Sequence, residues 1–253
     1  SEEDVYDESR EQFVVSKSDN FNLESTFASN IAFPVSEEDP DVGDYGTNAF
    51  MNCFAIHGAE YEYESPAMIE GLPFLHRDRI AKYSSKFAAL LELLIRSEGI
   101  AFMYSRYLRP GAVSLALFLE QNGYKQLYAR RRGNTFEYYT RNILRTASLP
   151  PAARPTPRCY CGVLKRDHND TEHAFAQGCY ILLTGETPKD VLNALVSKAR
   201  SPENTDGRDV KAVIGSSVLS VGISLFNVRE VHVLEPWYHF NLIEQVVGRA
   251  IRF

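Results

Sequence analysis

Lys211 to Phe253 reads KAVIGSSVLSVGISLFNVREVHVLEPWYHFNLIEQVVGRAIRF. An apolar run, Ala212 to Ile214, hands over to two small hydroxyl residues, Ser216 and Ser217, and Gly222 follows. A second strand-like run through Val231, Val233 and Leu234 ends at Pro236, and the stretch closes on Gln245-Val246-Val247-Gly248-Arg249-Ala250-Ile251-Arg252. Arg249 and Arg252 are three apart and so project from one face of a helix, with Gln245 one turn earlier on that face. Two guanidiniums and a carboxamide on one stripe can clamp a polyphosphate, because guanidinium forks match phosphate oxygens. The same arginines also suit a solvated helix end, where they favour the macrodipole. In isolation that second reading is the simpler one. Ser216, Ser217 and Gly222 lie between two strand-like runs and so fall at the carboxyl edge of a sheet. Hydroxyls and backbone amides at such an edge can bond phosphates, although an ordinary Ser/Gly turn has the same composition.

The same alternation of strand and helix extends upstream. Ile80 to Arg96 places apolar residues at Phe87, Leu90, Leu91, Leu94 and Ile95, the spacing of an amphipathic helix, with Ser84 and Ser85 as N-cap candidates. Ile100 to Tyr104 reads as a buried strand that delivers Ser105 and Arg106 to its carboxyl end, where ligand contacts gather in open α/β sheets. Gly111 to Gln121 is a second helix closed by Asn122-Gly123. Tyr180 to Gly185 is strand-like and Pro188 to Ala199 helical, so βαβ units and a parallel sheet are expected from Leu75 onward.

Residues 1–74 read as an irregular lead-in, rich in charge and turn residues, with Phe27 to Pro34 a short extended segment. The aromatic residues between Tyr45 and Gly71 read as packing anchors. Residues 125–178 read as an insertion that breaks the α/β rhythm. It carries the basic cluster Arg130-Arg131-Arg132, most simply a solvated face, and a proline-stiffened linker from Pro150 to Pro157. Within it, Cys159, Cys161, His168 and His173 supply two thiols and two imidazoles, the ligand types of a four-coordinate structural Zn2+. Gly162 would let the backbone turn around such an ion. The one-residue gap between the cysteines is tighter than the usual finger spacing, Cys179 is a substitute ligand by type, and incidental surface cysteines and histidines are the alternative.

Composition narrows the function classes. A chain of 253 residues with a net charge of −6 and 44% hydrophobic residues is ordinary globular protein, long enough for one large domain. Mild acidity argues against a generally basic nucleic-acid coat but not against a local basic groove. No apolar run approaches the roughly 18 residues of a membrane span, and the acidic start lacks the layout of a secretory signal. Four cysteines do not make a disulfide scaffold, so an intracellular, reducing setting is expected. No Gly-x-x-x-x-Gly-Lys-Ser/Thr phosphate loop and no Gly-x-Ser-x-Gly elbow occurs.

Gln245 to Arg252 matches the Q-x-x-G-R-x-x-R motif VI of superfamily 2 helicases; Ser216 to Leu225 resembles motif V, and Phe102 to Arg106 motif IV. Ser220 to Arg229, Glu235-Pro236-Trp237-Tyr238 and Gln245 onward together resemble the DExH-type helicase/ATPases of large nucleocytoplasmic DNA viruses. That group includes the poxvirus early transcription factor small subunit and nucleoside triphosphatase I. The likeness covers roughly residues 80–124 and 179–253. It implies an α/β RecA-like domain, the second of two, with Arg249 and Arg252 as arginine fingers toward the γ-phosphate and Gln245 aligning the nucleotide. Gly222 and Gly248 would lie at the nucleotide, and Ser105, Arg106, Ser216 and Ser217 along the nucleic-acid backbone. Ser224 departs from the acidic residue of many relatives, which leaves no basis for a magnesium or ribose role there. The Walker A lysine and the acidic pair of the first RecA-like domain are absent, and the chain stops just after motif VI. It is therefore expected to be a C-terminal half, inactive alone, sharing ATP and Mg2+ with a first domain. Its expected partners are DNA or RNA and viral RNA polymerase, with no membrane, in the virion or the host cytoplasm. A non-enzymatic, helicase-like module that docks on transcription machinery is the alternative.

Overall fold

The computed structural model describes residues 20–216, 227–235 and 248. The described residues open with α1 (Asn20–Asn30), a short pairing of β1 (Phe33–Pro34) with β2 (Gly43–Asp44), α2 (Gly46–Cys53), and the antiparallel hairpin β3 (Phe54–His57) and β4 (Glu60–Tyr63). A second short pairing, β5 (Met68–Ile69) with β6 (Leu72–Pro73), leads into α3 (Arg77–Tyr83) and α4 (Ser85–Arg96). Then come β7 (Ile100–Tyr104), a π-helical turn (Leu108–Val113), α5 (Ser114–Gln121), β8 (Lys125–Arg132), β9 (Thr135–Arg141) and β10 (Leu144–Arg145). The last elements among the described residues are β11 (Cys179–Leu183), α6 (Lys189–Ala199), β12 (Ala212–Gly215) and β13 (Val228–Val233).

Among the described residues, six strands form one sheet in the order β13-β7-β12-β11-β8-β9. All neighbouring pairs are parallel except β8 with β9, an antiparallel edge. The central strands β7 and β12 are buried along their whole length, as parallel strands covered on both faces must be. Alternation divides them between two cores. Ala101, Met103, Tyr180, Ala212 and Ile214 face α4, α5 and the N-terminal elements, while Phe102, Tyr104, Ile181, Leu183 and Val213 face α6. This is the mixed α/β architecture of a RecA-like domain, as expected.

Helix α5 is buried at all eight positions, because the sheet covers one side and the N-terminal elements the other. Its one carboxylate, Glu120, accepts the Ile143 and Leu144 N–H groups at 3.0 and 2.8 Å and the Tyr180 hydroxyl at 2.7 Å. Burial nevertheless pushes its pKa up to about 7.

Three stretches differ from the sequence expectation. The expected single helix from Ile80 to Arg96 is two, since Ser84 is extended (φ −156°, ψ 102°) and caps α4 by accepting the Phe87 N–H at 3.0 Å. The stretch expected to be irregular, 20–74, carries α1, α2 and three short strand pairings, and Phe27 to Asn30 is helical rather than extended. Its elements are too short to show periodicity; aromatic packing holds them. Phe50 stacks on Phe54 at 4.8 Å, and Phe33, Tyr61 and Phe74 meet the pair edge-on or tilted at 5.6–6.0 Å. The interruption expected over 125–178 begins instead with two strands of the main sheet. Arg130, Arg131 and Arg132 close β8, against the Tyr139 ring, Asp190 and Glu137 respectively, and all three are solvent-exposed.

Candidate functional site

The carboxyl edge of the sheet gathers the ends of β7, β12 and β13. Ser105 follows β7, and its N–H donates to the Gly215 carbonyl of β12 at 3.0 Å. Ser216 follows β12, is buried, and donates its N–H to Leu183 of β11 at 3.1 Å. Glu235 follows β13 and is buried behind them. Its Oε1 accepts the Ser105 hydroxyl at 2.7 Å and the Asn30 side-chain amide at 2.5 Å, while Oε2 accepts the Arg106 N–H at 2.8 Å. Lys86 completes the group by donating to the Leu234 carbonyl at 2.8 Å, Asn30 Oδ1 at 3.0 Å and Ser29 Oγ at 3.1 Å.

Burial raises the Glu235 pKa, opposed by the donors from Ser105, Arg106 and Asn30 and by the Lys86 charge. Burial lowers that of Lys86, opposed by Glu235. A carboxylate with three donors and an ammonium nearby is a satisfied buried network, which fixes geometry more than it adds stability. Here it fixes the backbone at Ser105-Arg106. The π-helical turn that follows packs against the same point. Pro110 has no N–H to give, and the turn closes through the Ala112 N–H to the Tyr107 carbonyl at 2.9 Å, an i to i+5 bond. Gly111 lies so near Ser105 that a Cβ there would be 1.9 Å from Ser105 Oγ, so only glycine fits.

The structure therefore brings Ser105, Arg106 and Ser216 to one edge. Ser105 is fully buried, with its hydroxyl committed to Glu235, while Arg106 is half-exposed. Ser217, Gly222, Ser224, Trp237, Gln245, Arg249 and Arg252 lie outside the described residues, and Gly248 is described only as an exposed helical position. The sequence alone gives Glu235 no role and does not point to Asn30 or Lys86. An acidic residue closing an apolar strand just before a proline was the one available signal; nothing local marks Asn30 or Lys86, which arrive from 205 and 149 positions upstream of Glu235.

A cleft of 330 Å³ opens at the carboxyl end of β11, lined by Thr184, Glu186 and Thr187, by Arg109 of the π-helical turn and by Gln126 and Arg141. Arg141 lies over the Tyr128 ring with Cζ 3.7 Å from the centroid and donates from Nε to Gln126 Oε1 at 2.6 Å. Two guanidiniums in one concave, partly aromatic wall suit an anionic ligand.

The Cys/His group assembles at the opposite edge, where β8 and β11 begin. One ligand atom from each of Cys159, Cys161, His168 and His173 lies within 4.8 Å of the others. Cys179, the substitute ligand by type, stands apart at the start of β11, its thiol directed to the Gln177 carbonyl.

No family model matches the chain. It is similar to two proteins of Acanthamoeba polyphaga mimivirus named as ATP-dependent RNA helicases, L377 and R563. Both are 27% identical, over 77% of this chain and 18% of L377, and over 69% of this chain and 23% of R563. It is also similar to the early transcription factor large subunit homolog of African swine fever virus, 23% identical over 79% of this chain and 15% of that protein. These similarities support a helicase-family relationship among viral proteins. The chain spans less than a quarter of the length of these relatives. No described helix is long and apolar enough to cross a membrane.

Proposed function

We propose that this chain is the C-terminal RecA-like half of a nucleic-acid-dependent ATPase/helicase that acts in viral transcription. The observation that carries the proposal is the similarity to viral proteins named as helicases along 69–77% of the chain, and to a viral early transcription factor homolog along 79%, on a fold of the matching class. In this reading a first RecA-like domain supplies the phosphate loop and the Mg2+-binding carboxylates. Arg249 and Arg252 complete the ATP site by meeting charge that develops on the transferring γ-phosphoryl group, which is where arginine fingers act. Gln245 aligns the nucleotide, and Gly222 and Gly248 allow close backbone approach. Arg106, with the Ser105 and Ser216-Ser217 backbone, grips a DNA or RNA strand, and the Glu235 network keeps that grip in register. The Arg109 and Arg141 cleft adds positive charge beside the same edge. Viral RNA polymerase is the proposed protein partner, in the virion or the cytoplasm of the infected cell, and the early transcription factor small subunit and nucleoside triphosphatase I are the proposed subfamily.

The test is nucleic-acid-stimulated ATP hydrolysis by this chain together with its phosphate-loop domain. Arg249→Ala should lower turnover by about 10³-fold or more while leaving thermal stability unchanged. Turnover within a factor of two of the parent would remove the arginine-finger assignment. Absence of ATPase in the parent would favour a docking module.

A further inference from the structure

We propose that Cys159, Cys161, His168 and His173 form a tetrahedral Zn2+ site that clasps segment 157–178 onto the amino edge of the sheet. The proposal is independent of the helicase reading. Tetrahedral coordination at Zn–S of about 2.3 Å and Zn–N of about 2.0 Å separates ligand atoms by roughly 3.3–3.8 Å. The observed span of 4.8 Å closes to that with small side-chain rotations. Two thiolates with two imidazoles select Zn2+ over oxygen-seeking cations.

The surrounding bonds are those a metal site requires of its neighbours. His168 Nδ1 is 2.8 Å from Asp170 Oδ1, which also accepts the Phe175 N–H at 3.0 Å. His173 Nδ1 is 2.9 Å from the Ala174 carbonyl. Each acceptor selects the tautomer with its proton on Nδ1 and leaves Nε2 as the ligating nitrogen, the carboxylate–histidine and carbonyl–histidine pattern of metal sites. Backbone N–H groups serve the sulfurs: Ala176 donates to Cys159 Sγ at 3.4 Å, and Val163 donates to Cys161. Cys159 is fully buried. Gly162, at φ +91°, turns the chain against α4, where a Cβ would be 2.3 Å from the Ile95 carbonyl oxygen.

The location assigns a structural role. Four protein ligands leave no open position for a reacting group. Arg158 donates its N–H to the Gly123 carbonyl at 2.8 Å, and from its guanidinium to the Asn122 and Gly162 carbonyls at 2.9 and 2.6 Å. Gly178 donates its N–H back to the Arg158 carbonyl at 2.8 Å. These contacts sit where β8 and β11 start, a strand's length from Ser105 and Ser216. Within 157–178 the regular structure is two isolated bridges and one short 3-10 turn, so a metal cross-link would add substantially to what holds this shape.

The experiment is metal analysis of the chain purified without chelator, with Cys159→Ser, His168→Ala and Cys179→Ser beside it. One equivalent of zinc is expected in the parent and in Cys179→Ser, and less than a tenth in the other two. Should the ligand variants fail to fold, titration of parent thiols with an organomercurial should release zinc in step with Cys159 and Cys161. Co2+ exchanged into the parent should give the thiolate charge-transfer and tetrahedral d–d bands. Chelation should lower the melting temperature by more than about 5 °C. Less than a tenth of an equivalent in the parent after supply of zinc, or full zinc in Cys159→Ser, overturns the proposal.

Discussion

Ser105 and Glu235 stand 130 positions apart in the chain, and the Ser105 hydroxyl donates to Glu235 Oε1 at 2.7 Å at the carboxyl edge of the sheet. The bond joins the ends of β7 and β13, and its second carboxylate oxygen takes the Arg106 N–H. Two strands and the first residue of the following loop are thus set by one buried side chain.

Ser105→Ala should therefore destabilise the domain by about 1–3 kcal/mol, because Glu235 loses a donor in a place water does not reach. Denaturant unfolding reads the change. A cost below about 0.5 kcal/mol would mean that Glu235 is satisfied without Ser105.

Gly111→Ala tests the same contact from the other side. The added methyl would sit 1.9 Å from Ser105 Oγ, so a loss of about 2 kcal/mol or more is expected from overpacking. Shortening the opposing side chain should relieve it. The double variant Gly111→Ala/Ser105→Gly should be less destabilised than the sum of the two single changes by more than about 0.5 kcal/mol, and simple additivity would show that the contact is not the cause.

How much of this was legible depends on the reach of the interaction. The strands Ile100–Tyr104 and Ala212–Gly215 and the helix Lys189–Ala199 are local apolar patterns, and each stands where periodicity places it. The four metal-type ligands lie within fifteen positions of one another, close enough for residue type and spacing to suggest that they meet, and they do. The N-terminal elements were not legible, because their helices and paired strands are held by aromatic contacts to distant segments rather than by their own pattern. Strand β8 was obscured by its arginine-rich end, which is exposed where it outruns the core. The Glu235 network was invisible because Asn30, Lys86, Ser105 and Glu235 come from four separate parts of the chain.

Glu120 should give the domain a pH signature. Its pKa is raised from an ordinary 4.5 to about 7, so the folded state binds the proton more tightly than the unfolded chain does. The stabilisation this brings is complete below pH 4.5 and is lost as pH rises through about 7. Over that window the contribution falls by about 3 kcal/mol. Glu235, also raised by burial, acts with the same sign. Comparing denaturation free energies of the parent and Glu120→Gln between pH 4.5 and 7.5 isolates the term: the parent should lose stability relative to the variant as pH rises. Parallel curves would show that Glu120 keeps an ordinary pKa.

On the proposed function, Arg106 is the side chain through which the edge network should act on nucleic acid. Its N–H is anchored to Glu235 and the residue is half-buried, so the side chain starts from a fixed backbone origin. A positioned guanidinium on a phosphate releases about one counterion. Arg106→Ala should weaken binding to single-stranded nucleic acid about threefold to tenfold for every sequence tried, and the slope of log affinity against log salt should become shallower by about one. Arg106→Lys keeps the charge but loses the fork, and should restore the salt slope with only part of the affinity. Fluorescence anisotropy at several salt concentrations measures both quantities. An unchanged slope in Arg106→Ala would place the phosphate contacts elsewhere, with the Arg109 and Arg141 cleft the next surface to vary.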